Sequence, residues 1–538
     1  MRIGRRPRHH RLRTTRTTSD ALCFPRTPFR SSCFSHFLTN NNNIFLSVIV
    51  LKHTTMATPG TTALSPAHRP TLSWDDLPPE IYQEVVSYFA DQRTTLEAII
   101  MADCLATAEA LKLYWSTAVP DNDLLAILES KPLHHRQFFA DFLRNITIQF
   151  KALDEHHEGH GLQYPRLQNL TVVHDQALMG AEDRTHARIR RFVGSRLRSL
   201  EVGCQLHESQ NLVPSTDNFL PRLSGCRNLR SLTLRARVRR ATPGDLIAVL
   251  NNCTRLSSLR LEKHSERLVD ENTISAIAAH PAVRSLQIDQ HLDLHLLSLV
   301  AGIFRPFQHI TGLCLCIDAS AARSILPHLE KLEVLELTVF SNYGNASIFP
   351  FLRTLTTLQS VYLKLHDYVL TDHDLTYLAP LKQLESLELA IRDGARYFDT
   401  SMVRPQFFAD ILGSLPVLDS FALHSSHTHG DAFLIALGRN CYALKYLTLA
   451  GPFVLESLSR EQGVLFPSLV VLELGRVDST VPLSSWGGYR EAWGGGIARS
   501  LLRHAPQLRQ VWLREDGDGG LGGLVKEAWE EMIEERDG

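Results

Sequence analysis

Thirteen times between residues 167 and 513 the chain repeats one short phrase, apolar-x-x-apolar-x-apolar, usually with a small residue before the middle position. The copies run from LQNLTV, LRSLEV, LRSLTL and LSSLRL to LVVLEL and LRQVWL. Their first apolar residues are Leu167, Leu197, Leu229, Leu256, Val283, Ile310, Leu332, Leu358, Leu384, Leu418, Leu444, Leu469 and Leu508. Neighbours lie 30, 32, 27, 27, 27, 22, 26, 26, 34, 26, 25 and 39 residues apart. A unit of this length cannot bury its own apolar face, so it must stack on its neighbours in a continuous array. Such an array displays a long surface, and that points to binding before any motif is read.

The phrase and its period are those of leucine-rich repeats. The expected fold is therefore α/β, a leucine-rich-repeat solenoid bent into a horseshoe. In each LxxLxL two leucines point inward from a short strand while the intervening residues point to the concave face, because strand side chains alternate. Helical patterns fill the spaces between strands: PGDLIAVLNNC (243–253), ENTISAIAAH (271–280) and GDAFLIALGRNC (430–441). Cys226, Cys253 and Cys441 each stand three residues before the next strand's first Leu, which resembles the cysteine-containing repeat class and predicts small buried packing residues. A buried Asn or Cys normally follows LxL by three residues. Here Arg237, His264, His291, Asp318, Phe340, His366 and Arg392 stand there, so an irregular array is expected, with insertions at the long steps. Alternating Ile146, Ile148 and Phe150 predict a strand that opens the sheet. GGYREAWGGG and DGDGGLGG read as flexible loops. Leu524, Ala528, Trp529, Met532 and Ile533 make an apolar face on a terminal helix that caps the last strand.

Alternation also predicts the concave surface. Its first column is mostly Ser, and larger residues stand out against it: Arg235, Arg260, Tyr362, Lys364, His424, Tyr446, Trp512 and Arg514. Tyr, Trp and Arg dominate binding hot spots, which makes these the candidate substrate-binding residues.

Ahead of the repeats, LPPEIYQEVVSYF opens a helical stretch. Pro78 and Pro79 fit a first turn, and Leu77, Ile81, Val85 and Phe89 recur at a spacing of four. This segment resembles the start of an F-box, matching that pattern at Leu77, Pro78, Glu80, Ile81, Val85, Tyr88 and Phe89. The second half departs from the family: MADCLATAEALKLYW places only Cys104 well, with its aromatics arriving late at Tyr114 and Trp115. LHHRQFFADFLRNITIQF (133–150) resembles the linker between F-box and repeats in fungal F-box proteins. The resemblance implies a non-catalytic substrate receptor whose head binds a Skp-family adaptor and, through it, a cullin ligase core, while the repeats bind a protein substrate. The alternative is a repeat scaffold outside any ligase, with the head serving as a solenoid cap. The expected organisation is a basic N-terminal extension (1–71), the F-box-like module (72–120), a linker with the first strand (121–165), the repeats (166–515) and a capping helix (516–538).

The overall charge of −1 hides an asymmetry. Residues 1–74 hold eleven Lys or Arg against Asp20 alone, leaving −11 on the remainder, so no nucleic-acid partner is expected for the folded part. The Arg-rich extension reads as a mitochondrial transit peptide or as sequence upstream of a start at Met56. Nine scattered cysteines without a Cys-x-x-Cys fit a reducing compartment, cytoplasm or nucleus, and the apolar run Ile44–Leu51 is too short to span a bilayer. Two histidine clusters, HSSHTHGD (424–431) and DEHHEGH (154–160), lack any zinc-site spacing and read as solvated loops. No metal, cofactor or catalytic residue is expected.

Overall fold

The inward leucines of the repeated phrase build one buried column per position. Leu170, Leu200, Leu232, Leu259, Leu286 and Leu313 form the first column and Val172, Val202, Leu234, Leu261, Ile288 and Leu315 the second, all essentially inaccessible. The computed structural model describes residues 136–537 except 138–139, 150–161, 175–185, 188, 205–214, 263, 298, 304, 341–346, 392–397, 426, 428, 480–488 and 514–520. The chain divides into Met1–Ser73 and Trp74–Gly538, and every described residue belongs to the second unit. The basic extension and the F-box-like module lie outside the described residues.

The repeats form a single parallel sheet of fourteen strands, each paired with the strands before and after it in sequence. The strands are β1 (Asn145–Gln149), β2 (Asn169–His174), β3 (Ser199–Cys204), β4 (Ser231–Leu234) and β5 (Ser258–Leu261). Then come β6 (Ser285–Leu292), β7 (Gly312–Asp318), β8 (Val334–Phe340), β9 (Ser360–His366) and β10 (Ser386–Ile391). The last four are β11 (Ser420–His424), β12 (Tyr446–Leu449), β13 (Val471–Leu474) and β14 (Gln510–Leu513). The register is that of the phrase itself, Ser to Ser and Leu to Leu, as in Ser199↔Ser231 and Leu200↔Leu232. One irregularity separates β6 and β7, where Ile288 faces Leu315 but His291 faces Cys316. As expected, the strand at Asn145–Gln149 opens the sheet.

A parallel sheet is ordinarily covered on both faces. Here burial alternates along most strands, as in β9, so one face joins the core and the other is only partly buried among the described residues; β4 departs from this, with Thr233 buried as well. The core side is closed by helices that begin where the sequence places them, at Pro243–Asn252, Glu271–Ala278 and Gly430–Asn440. Thr242 and Asp245 form a reciprocal capping box, and Thr371 with Asp374 repeats it. Each box also bonds the preceding repeat, Asn218 to Asp245 and Ser347 to Asp374, so helix starts are tied across repeats. Cys226, Cys253 and Cys441 are buried as their spacing implies. The Cys226 thiol meets the Gly194 carbonyl at 3.1 Å, and burial pushes the three thiols up to about 12, 11 and 12.

Connecting segments form minor parallel ladders of their own, at 186–187, 215–216 and 237–238 and again at 368–369 and 398–399. The described ends of two expected loops are helical instead. Gly494–Gly496 lie inside the helix Arg490–His504, and Leu521–Gly523 begin the terminal helix Leu521–Asp537. Tertiary packing overrides glycine's poor helix propensity here: a Cβ on Gly494 would lie 2.8 Å from the Leu524 carbonyl oxygen, so only glycine lets these two helices approach. Of the predicted apolar face, Trp529 is buried and Ala528, Met532 and Ile533 pack against the core, while Leu524 is only half-buried; Leu521 and Val525, outside that face, are buried too.

Gly438 gives a test with an unusual sign. Replacing glycine by alanine within a helix normally stabilises by about 1 kcal/mol. A Cβ at Gly438 would stand 2.7 Å from the Leu465 Cβ and 2.9 Å from the Phe466 ring. Gly438→Ala is expected to lower stability by about 1–3 kcal/mol in urea unfolding. A stabilised variant would show that the contact relaxes.

Candidate protein-interaction surface

On the open face the side chains between the leucines stand in rows across the strands. Arg235 of the β4 repeat lies across Gly203, which has no side chain to block it. Its guanidinium meets Glu201 at 3.2 Å on one side and Glu262 at 2.8 Å on the other. Burial works against the charge, but the two glutamates outweigh it and hold the arginine above its ordinary value. Arg260, on the next strand, is exposed.

A second cluster is centred on β9. The Lys364 ammonium lies 4.7 Å from the Tyr362 ring centroid and 3.8 Å from Glu336 of β8. On the other side Glu388 of β10 lies 3.9 Å from His424 of β11. Burial opposes the Lys364 charge, yet Tyr362 and Glu336 keep its pKa above that of an ordinary lysine. Burial also raises Glu388, and His424 and Lys364 only partly offset it. Further along, Tyr446 on β12 and Trp512 on β14 are 48% and 56% exposed, with Val471 and Glu473 on the strand between them. The expected face thus holds seven of its eight candidates, in three groups: Arg235 with Arg260, Tyr362 with Lys364 and His424, and Tyr446 with Trp512. Arg514 lies outside the described residues, as do Leu77, Pro78, Glu80, Ile81, Val85, Tyr88 and Phe89.

The partners of these cations, Glu201, Glu262, Glu336 and Glu388, were not singled out from the sequence. Their signal was available, since Glu201, Glu336 and Glu388 occupy the x of LxL. In place of an asparagine ladder the chain has a mixed row at the strand ends. His291 Nε2 contacts the buried Asp318 carboxylate at 2.7 Å, and the Phe340 ring sits 4.7 Å from His291 and 5.5 Å from His366.

The described residues of HSSHTHGD are not a solvated loop. His429 packs 4.7 Å from the Phe433 ring, and its Nε2 lies 2.7 Å from the hydroxyl of the fully buried Thr400. Asp431 accepts the backbone N–H groups of Val454 and Leu455, the latter at a positive φ of 59°. The polar letters serve to pin one connecting segment to the next. Among the described residues no group of three or more His, Cys, Asp or Glu is arranged to hold a metal ion, and DEHHEGH lies outside them. No described helix is long and apolar enough to cross a membrane.

No protein-family model matches the chain, and no curated protein matches it. Among solved structures, the crystal structure of the Rad7 and Elc1 complex in yeast is similar at 15% identity, with a TM-score of 0.37, covering 82% of this chain and 92% of that one. The leucine-rich repeat-containing protein LegL7 from Legionella pneumophila is similar at 15% identity, with a TM-score of 0.29, covering 60% of this chain and 92% of that one. Neither likeness assigns this chain a partner.

Burial, reinforced by neighbouring His427, lowers the His429 pKa from 6.5 to about 4, and its Nδ1 is buried without a partner. The unfolded chain therefore takes up this proton near pH 6.5 and the folded chain only near 4. The His429 contribution to stability is therefore expected to be fully present well above pH 6.5 and to be lost as the pH drops from there to 4. The loss is on the order of 1–3 kcal/mol. His429→Gln should flatten the difference between urea midpoints at about pH 7.5 and about pH 5. An unchanged difference would show that His429 does not carry it.

Proposed function

We propose that the chain is a non-catalytic receptor that holds a protein partner on its repeat array, and that its F-box-like head joins a Skp-family adaptor and cullin ligase core. The observation that carries the first half is the open face of the parallel sheet. Arg235 and Lys364 are each set among carboxylates there, while Tyr446 and Trp512 offer large exposed rings. Fixed charges in a known register select a partner, and exposed aromatic rings supply contact area at low entropic cost. The second half rests on LPPEIYQEVVSYF. Leu77, Pro78, Ile81 and Val85 are the residues proposed to contact the adaptor, with Glu80, Tyr88 and Phe89 completing the pattern. The receptor's contribution to ubiquitin transfer is then proximity, holding a substrate where a recruited conjugating enzyme reaches it.

Light-scattering chromatography of the full chain with the adaptor tests the ligase half. A 1:1 complex is expected. Leu77→Ala combined with Pro78→Ala should weaken it by about 2 kcal/mol, roughly thirtyfold, with thermal unfolding of the repeats unchanged. If the intact chain elutes alone, or the double variant melts earlier yet binds equally, the head is a cap and the protein a scaffold.

A further inference from the structure

The turns that lead into the first six strands carry arginine in register. The residue immediately before β1, β3, β4 and β6 is Arg144, Arg198, Arg230 and Arg284, each exposed. Two positions earlier in its own turn, a second row holds exposed Arg166, Arg196 and Arg255. The backbone of the first row is fixed by the repeat itself. The Arg198 carbonyl accepts N–H groups from Arg230 and Ser231 at 2.7 and 3.0 Å, and the Arg284 carbonyl accepts those of Thr311 and Gly312 at 2.8 and 2.9 Å.

Unlike Arg235 and Lys364 on the open face, none of these arginines has an ion-pair partner among the described residues. Arg255 donates to the Asn228 side chain, and Arg166 lies over the Phe142 ring. Nor does the fold need arginine at these positions. The same row before β7 to β11 reads Thr311, Glu333, Gln359, Glu385 and Asp419, with the same backbone bonds. The sign change extends to the whole array: residues 140–290 hold 21 Lys or Arg against 16 Asp or Glu, and residues 291–538 hold 20 against 29. The charge is therefore segregated, although the sum over the array is negative.

We propose that this arginine row is a docking surface for an acidic segment of a partner protein, rich in Asp and Glu and lying extended across the strands. From β1 to β6 there are five strand spacings of about 4.8 Å, roughly 24 Å in all. About seven residues of extended chain cover that length. A polypeptide fits better than a nucleic acid for two reasons. Single strands are held by stacking on aromatic side chains as well as by charge, and no large apolar side chain among the described residues before Leu294 stands exposed. The remainder of the array also carries net negative charge, which repels a long polyanion but not a short acidic segment. The inference deepens the receptor reading and rests on its claim that the array holds a partner protein, not on the adaptor.

The test is fluorescence anisotropy of the full chain with a fluorescein-labelled polyglutamate peptide of about ten residues, at about 50 mM and about 150 mM salt. Saturable binding that weakens with salt is expected. Arg198→Glu, Arg230→Glu and Arg284→Glu together should reduce affinity at least about tenfold. The charge-matched reversals Arg323→Glu, Arg353→Glu and Arg460→Glu, at exposed sites elsewhere, should leave it within about twofold. The milder set Arg198→Gln, Arg230→Gln and Arg284→Gln, checked for an unchanged circular-dichroism melt, keeps the test valid should the reversals misfold. The proposal is overturned by no saturable binding, by equal loss in the control set, or by an oligonucleotide of equal charge binding more tightly through the same arginines. The arginine variants should still bind the adaptor, so a chain that ignores the adaptor but holds the peptide separates this inference from the ligase reading.

Discussion

At each turn into a strand, the carbonyl of the residue before the strand accepts two N–H groups from the next repeat. Arg144 takes those of Gln168 and Asn169, Glu333 those of Gln359 and Ser360, and Lys445 those of Val470 and Val471. This paired acceptance, together with the leucines packed beneath it, sets neighbouring strands to one register along the array. A one-residue slip would turn every leucine outward, so the register is strongly specified. Everything displayed on the surface inherits that spacing. Side chains far apart in sequence become neighbours in a row, and the chemistry of each row is set by one position per repeat.

That separation explains what could be read from the letters alone. The inward positions obey the core, so the strands, the three clearest helices and the buried cysteines follow from the spacing of Leu and Cys. The open face also follows, because alternation assigns it once the strands are placed. Gly494–Gly496 were misread because glycine's local preference is for loops, whereas the deciding contact is with Leu524, thirty residues later. His429 was misread for a similar reason: its neighbours in sequence are polar, but Phe408, Phe433 and Thr400 enclose it. The charge rows escaped because a net charge sums over the array, while the register sorts positive early repeats from negative later ones. The F-box-like segment is legible only as a motif, since Leu77 to Phe89 fall outside the described residues.

The two charged regions differ physically. On the open face Arg235 already has Glu201 and Glu262, and Lys364 has Glu336 and Tyr362. A partner covering them must desolvate groups that are satisfied, which costs free energy unless it supplies matching donors and acceptors. Such a surface discriminates. The arginines in the turns into β1 to β6 have no ion pair among the described residues to give up, and exposed charges of one sign raise the rate of encounter with an opposite charge.

A receptor gains from keeping these roles apart. Affinity built only on the arginine row would be screened by salt and indifferent to sequence. Affinity built only on the paired face would be selective but slow to form, because the docking geometry must be found without guidance. The row and the face meet along the strand starts of the same repeats: Arg230 precedes the strand whose repeat supplies Arg235, and Arg198 precedes the strand that carries Glu201. A segment steered to the row is thereby held within a few residues' reach of the paired charges. The same repeat geometry that fixes the register thus places a row of exposed arginines beside a face of paired charges.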